Sequence, residues 1–117
     1  MYGLIIRSAM LLTFALKLSG VDFAGLEYGA SLGFAAIGTN AGHDDPLGFA
    51  FWGAPEVLND FAWRSLHLEA VVGKELVHSF YGSPATHSYY SGCSQGGRQG
   101  FHAAEVSGRG NSNWLRI

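Results

Sequence analysis

Apolar and polar residues follow one another along this chain in blocks that predict alternating strands and helices. Residues 33–40 form a short apolar run that leads into a polar loop, which predicts a buried strand, and residues 24–32 predict a helix before it. The loop at residues 41–48 contains Pro46 and two glycines, which exclude regular structure there. From Pro55 to Phe80 the apolar positions recur every three or four residues, which predicts one long helix.

The apolar stripe of this long helix is wide. Val57, Phe61, Leu68, Val72 and Leu76 lie beside a central row formed by Leu58, Ala62, Leu66, Ala70, Gly73, Val77 and Phe80. A stripe of this width predicts burial against a sheet on one side and against other elements on a second side.

A second strand and a second helix follow the long helix. Gly82 and Pro84 end the helix, residues 85–91 predict a strand, and residues 99–106 contain good helix formers. The order is therefore strand, long helix, strand, tight turn and helix. This alternation indicates the α/β class, with a parallel sheet that these few strands leave incomplete.

The tight turn has the sequence Gly92-Cys93-Ser94-Gln95-Gly96, a Gly-x-Ser-x-Gly pattern. Between a strand and a helix this pattern predicts a nucleophile elbow, in which a sharp turn presents the serine hydroxyl for acyl transfer. Glycines two residues to each side leave no Cβ to collide with the neighbouring backbone. Ser94 is therefore the candidate nucleophile, although a chain with 17 glycines can also contain the pattern in a simple turn.

A serine nucleophile needs a general base, and the sequence supplies no clear one. His102 lies eight residues after Ser94, about 12 Å along a helix, and is predicted to be a surface residue. His67 and His78 belong to the polar face of the long helix, and His87 is predicted to pack or to face solvent. The 23 residues after Ser94 contain Glu105 but no aspartate.

One acidic loop could hold a metal ion or act in acid–base chemistry. His43, Asp44 and Asp45 follow a strand end, where ligands often bind in such sheets. Calcium needs six to eight oxygen ligands, so the preferred interpretation is a structural or substrate-lining loop, and no metal site is assigned. Arg98 could bind a carboxylate, but capping of the turn is preferred.

Composition narrows the choice of partners. Charged residues make up only 14% of the chain and the net charge is −2, with no basic stripe, so nucleic acid is not an expected partner. The low charge is typical of an interior piece of a larger protein. Cys93 is the only cysteine, which excludes an internal disulfide. Residues 1–20 loosely match a secretory signal peptide, but their apolar run is too short to span a bilayer, and no membrane association is expected.

The stretch Tyr89–Gly100 resembles the nucleophile segment of the tannase and feruloyl esterase family. Residues 28–43 resemble a stretch upstream in that family, and residues 60–67 with 72–74 resemble its long helix. The resemblance divides the chain into an unmatched segment at residues 1–20, a partial α/β-hydrolase catalytic core at residues 21–106 and an unmatched tail at residues 107–117.

The resemblance implies a secreted carboxylic ester hydrolase that acts on small phenolic-acid esters such as gallates and ferulates. It implies that the backbone N–H of Gln95 supplies one oxyanion donor. It also implies that Cys93 forms a disulfide with a cysteine directly after the catalytic histidine, and that partner is missing here. Calcium belongs to the lid domain of such enzymes, so no cofactor is expected in this chain.

The family's aspartate, its histidine–cysteine pair and its lid have no counterpart among these 117 residues. We therefore expect the chain to be inactive by itself. Two alternatives remain open at this point. The chain could be a fragment of another serine α/β-hydrolase, such as a peptidase or lipase, or a non-catalytic fragment that acts only as an interaction piece.

Overall fold

The computed structural model of the protein describes residues 10–15 and 20–109. Its strands are β1 (Met10–Ala15), β2 (Ala35–Thr39) and β3 (His87–Gly92). Its α-helices are α1 (Phe23–Ser31), α2 (Pro55–Asn59), α3 (Ser65–Tyr81) and α4 (Gln95–Arg109). A π-helical segment, Asp60–Arg64, joins α2 to α3, and a short 3₁₀ turn, Phe49–Phe51, lies in the loop before α2.

The three strands form one parallel sheet in the order β2-β1-β3. The parallel arrangement is the one that the alternation of strands and helices predicts. No strand was predicted at residues 10–15, yet β1 is the central strand and pairs on both sides. A short apolar run is typical of a buried parallel strand, but its pattern alone does not distinguish it from other buried segments.

The long helix predicted from Pro55 to Phe80 is present as α2, the π segment and α3 in continuous succession. The difference from the prediction is the π segment, where the backbone N–H of Ser65 donates to the carbonyl oxygen of Asp60, five residues earlier. The Ser65 hydroxyl donates to the same oxygen at 2.8 Å. The helix ends at Gly82, which has a φ of 71° and donates its N–H to the carbonyl of His78.

One side of the predicted apolar stripe is buried and the other is not. Val77 packs against Ala35 and Ile37 of β2, and Leu66 packs against Ala103 of α4. The prediction of burial on a second side is wrong for the part of the chain that the structure describes, because no described element covers that side. Half or more of the side chain remains exposed at Leu68, Val72, Leu76 and Phe80.

Both predicted terminal segments fall largely outside the described residues. The possible signal peptide at residues 1–20 includes β1, but residues 1–9 and 16–19 are outside the described part. The tail at residues 107–117 includes the last residues of α4, and residues 110–117 are outside the described part. Among the described helices, none combines the length and the apolar character that crossing a membrane requires.

Candidate active site

A sharp turn connects β3 to α4 and contains only two residues, Cys93 and Ser94. Ser94 has a φ of 55°, a conformation that non-glycine residues adopt rarely and at some cost in free energy. Strain of this kind persists only where the surrounding structure imposes it, and it often occurs at functional sites. The predicted strand-to-helix turn is therefore present, and the side chains of both turn residues are exposed.

This turn lies at the carboxyl edge of the sheet. Ala15, the last residue of β1, is in register with Thr39 at the end of β2 and with Gly92 at the end of β3. The loop that contains His43 therefore begins at the same edge as the turn that contains Ser94. Open parallel sheets bind their ligands at this edge.

Tyr90 supports the turn from the preceding strand. Its hydroxyl donates a hydrogen bond of 2.5 Å to the carbonyl oxygen of Gly96, in the first turn of α4. A Cβ atom on Gly92 would lie 2.7 Å from the Tyr90 hydroxyl and 2.8 Å from the carbonyl carbon of Gly96. A Cβ atom on Gly100 would lie 2.5 Å from the Tyr90 ring. Glycines therefore leave the space that this tyrosine and the close approach of strand and helix require.

We expect Gly92→Ala to lower the free energy of unfolding by about 1–3 kcal/mol, because the added methyl group meets backbone atoms that cannot move aside. Chemical denaturation of the two proteins measures the difference. Gly97→Ala is the matched control, since a Cβ atom there would meet only the carbonyl oxygen of Gly92, at 3.6 Å. Within a helix this second change should be neutral or stabilise by up to about 1 kcal/mol. Equal effects of the two substitutions would contradict the close approach at Gly92.

Backbone N–H groups point out of the start of α4. Gln95 is the first residue of α4, and the first N–H groups of a helix have no partner within the helix. The N–H of Gly96 donates to the carbonyl of Cys93, and the N–H of Arg98 donates to that of Ser94. These two hydrogen bonds close the first turn. The positive end of the helix dipole therefore lies next to the Ser94 hydroxyl, where it favours negative charge.

No hydrogen bond joins a histidine to Ser94 in the described part of the chain. His67, His78 and His102 are exposed, as predicted. His87 is also exposed, and its ring stacks on that of Tyr89 at a centroid distance of 6.1 Å. The described residues therefore do not bring a general base to the candidate nucleophile.

The side chains of His43 and Asp45 make packing contacts and hydrogen bonds that stabilise their own loop. The His43 ring is buried against two aromatic rings, Phe51 at 4.9 Å and Phe61 at 5.1 Å between centroids. The Asp45 carboxylate accepts hydrogen bonds from two backbone N–H groups, each at 2.9 Å. These bonds, chiefly the one from the N–H of Leu47, hold the pKa of Asp45 below its usual value.

Asp44 accepts a hydrogen bond from the side chain of Asn40 at 3.2 Å. Within the described ranges, no group of three or more His, Cys, Asp or Glu side chains is arranged to hold a metal ion. The donors of this loop therefore do not fit a calcium site, and no chemical step is assigned to a metal here.

Within the described residues, the contacts of Arg98 differ from the capping role that its place after the turn predicts. Its guanidinium donates to the carbonyl oxygens of Phe61 and Ala62 in the π segment, each at 3.1 Å. Its Nε also donates to the side-chain oxygen of Gln95 at 2.8 Å. Arg98 thus connects the turn to the long helix.

Cys93 is exposed and its thiol is free. It directly precedes Ser94 in the two-residue turn. A thiol in this position is accessible to a cysteine from another segment or chain.

Glu69, the one carboxylate on the buried face of α3, was not predicted as a functional residue from the sequence. Only 6% of its surface is exposed, and neither carboxyl oxygen has a hydrogen-bond partner among the described residues. Burial raises the pKa of Glu69 to about 9. Burial, and then the nearby charge of Glu69, also raise the pKa of Tyr90. The sequence signal for the burial of Glu69 was its position on the apolar stripe, three residues after Leu66 and four before Gly73.

Comparison with known proteins assigns the chain to a family. The model of the family "Tannase and feruloyl esterase" matches residues 13–108. A probable feruloyl esterase B-2 from Aspergillus flavus is 50% identical over 84 residues, which are 72% of this chain and 16% of that protein. Feruloyl esterase C from Talaromyces stipitatus is 45% identical over 85 residues, which are 73% of this chain and 16% of that protein.

The fold agrees with solved structures of the same kind. The crystal structure of feruloyl esterase B from Aspergillus oryzae superposes with a TM-score of 0.77 and 44% identity, over 84% of this chain and 20% of that one. A crystal structure of an esterase from the same organism gives a TM-score of 0.76 and 45% identity, over 82% of this chain and 19% of that one. The chain spans about one sixth of the length of the curated relatives that it matches. The chain belongs to the tannase and feruloyl esterase family.

Proposed function

We propose that this chain is the nucleophile-bearing part of a carboxylic ester hydrolase of the α/β-hydrolase fold, with phenolic-acid esters as substrates. The observation that carries the proposal is the strained φ of 55° at Ser94, in a two-residue turn between a parallel strand and a helix. Ala41 has a similar φ of 53° in a loop, but of these two residues only Ser94 combines it with a strand directly before the turn and a helix directly after it, as a nucleophile elbow requires. The similarity to feruloyl esterases supports the substrate class.

In this proposal Ser94 attacks the ester carbonyl and forms a tetrahedral intermediate. The backbone N–H of Gln95, at the positive end of α4, donates to the oxyanion of that intermediate. Collapse of the intermediate releases the alcohol and leaves an acyl group on Ser94, which water then removes. A base has to accept the serine proton in the first step, and it comes from outside these 117 residues.

Under the same proposal, the isolated 117-residue chain is inactive. Without a base, the Ser94 hydroxyl stays protonated and weakly nucleophilic at neutral pH. We therefore expect the 117-residue chain to hydrolyse p-nitrophenyl acetate no faster than its Ser94→Ala variant does. From the family resemblance we further propose that Cys93 forms a disulfide with a cysteine of the complete enzyme and that this enzyme is secreted.

The test places this sequence in a complete enzyme. In a hybrid protein that we call the grafted esterase, residues 21–106 of this chain replace the matched stretch of the Aspergillus oryzae feruloyl esterase B. We expect the grafted esterase to hydrolyse methyl ferulate, with the unaltered parent enzyme as the control. A grafted esterase that shows a cooperative melting transition and yet no hydrolysis of methyl ferulate would contradict the proposal.

A further inference from the structure

Three side chains on one face of α4 bind the backbone of the long helix. Gln95, Arg98 and Gln99 lie at positions i, i+3 and i+4, so they point the same way from the first turns of α4. The side-chain amides of Gln95 and Gln99 donate to the carbonyl oxygen of Phe61, at 2.9 Å and 2.7 Å. With the contacts of Arg98 described above, these bonds form a set that we call the helix latch.

The π segment explains why these carbonyl oxygens accept bonds from another helix. In an α-helix each carbonyl oxygen faces the N–H four residues later, but a π turn shifts this pattern to five residues. Phe61 and Ala62 are both in the π segment, Asp60–Arg64. Their carbonyl oxygens are open to outside donors at this irregularity, as helix distortions with an inserted side chain commonly are. Segments of π-helix often occur near functional sites, and the helix latch binds to the segment Asp60–Arg64.

Burial and mutual contacts hold the side chains of the helix latch in place. Gln99 is 1% exposed, so its amide exchanges no hydrogen bond with bulk water. Arg98 is more exposed, but its guanidinium carbon also lies 5.9 Å from the centre of the Phe61 ring. Its bond to the Gln95 side-chain oxygen fixes the amide orientation of Gln95. The three side chains therefore support one another.

We propose that Gln95, Arg98 and Gln99 are positioning residues that act through these side chains on the turn at Ser94. The helix latch holds the start of α4 against the π segment, so that the Ser94 hydroxyl and the backbone N–H of Gln95 keep one relative geometry. This inference rests on the proposed function of Ser94. Catalytic geometry is sensitive to displacement, since a shift of about 1 Å can cost about 10²-fold in rate.

The first experiment measures amide hydrogen exchange in the 117-residue chain and does not depend on ester hydrolysis. Gln99→Met removes the donor at similar size, and Arg98→Lys keeps the charge without the forked guanidinium. His102→Gln, at an exposed position of the same helix, is the control. We expect Gln99→Met to speed amide hydrogen exchange about tenfold or more at Gly96 and Arg98, whose N–H groups close the first turn of α4, and to change the HN–Hα coupling of Ser94, with exchange in β2 and α1 unchanged. Arg98→Lys should have a smaller effect in the same amides, and His102→Gln none.

Unchanged exchange at Gly96 and Arg98, or an equal increase at all amides, would overturn the proposal. The second experiment makes the same substitutions in the grafted esterase, where loss of positioning should lower kcat about tenfold or more with KM unchanged. A raised KM with unchanged kcat would also overturn it. A grafted esterase without any activity would count against the proposed function, whereas the exchange measurements would still decide whether the helix latch holds the turn.

Discussion

Replacing Ser94 with alanine in the grafted esterase should lower kcat for methyl ferulate by about 10⁴- to 10⁶-fold, because the acyl-enzyme can no longer form. The residual rate should exceed that of the uncatalysed reaction, since Gln95 still offers its N–H to the oxyanion. Binding contacts to the substrate stay in place, so KM should change little. Steady-state kinetics at saturating methyl ferulate measure the effect.

Ser91→Ala is the matched control for this substitution. Ser91 is exposed, belongs to β3 and precedes the turn by only two residues. Its removal should leave kcat within about twofold, which shows that loss of a nearby hydroxyl alone is harmless. An active Ser94→Ala enzyme, or an equally large loss for Ser91→Ala, would refute the assignment of the nucleophile.

Replacing Glu69 with glutamine should stabilise the chain at neutral and alkaline pH. The folded-state pKa of about 9 lies far above the usual 4.5, so the folded protein keeps a proton that the unfolded chain releases. The free energy of unfolding therefore has its full value below about pH 4.5. Between about pH 4.5 and about pH 9 it falls by about 1.4 kcal/mol per pH unit. The loss at pH 7 amounts to about 3 kcal/mol. Glutamine has no proton to release, so the variant should lack this slope.

Urea denaturation between pH 5 and pH 9 measures this difference. Glu75→Gln is the control, because Glu75 lies on the same helix with an exposed side chain. We expect its stability to follow that of the unaltered protein across the pH range. A Glu69→Gln variant that loses stability in parallel with the unaltered protein would show that the Glu69 carboxyl is not buried without partners.

The elements with strong local patterns could be predicted from the sequence. The long helix has a clear three- and four-residue repeat, and the turn at Ser94 has glycines at the positions that a sharp turn needs. The exposure of His67, His78 and His102 also followed from their places on helices. Local propensity and periodicity determine these features, so neighbouring residues carry the information.

The features that were missed depend on contacts between distant segments. Nothing near Phe61 in the sequence indicates a π turn, because the donors that bind its carbonyl oxygen lie 34 to 38 residues later. The role of Tyr90 depends on the approach of α4 to β3, and the place of β1 depends on both of its partner strands. Glu69 interrupts a stripe that was predicted to be buried, but the lack of a described hydrogen-bond partner for its carboxyl oxygens depends on the elements that pack around it.

The central place of β1 also determines when the sheet can form during synthesis. β1 pairs with β2 about 24 residues later, but Met10 of β1 pairs with His87 of β3. Contacts between such distant residues require the closure of a long loop, which slows folding. A chain leaving the ribosome can pair only β1 with β2 until β3 is available. The turn at Ser94 directly follows β3, so it can take its place at the edge of the sheet only after the long loop between β1 and β3 has closed.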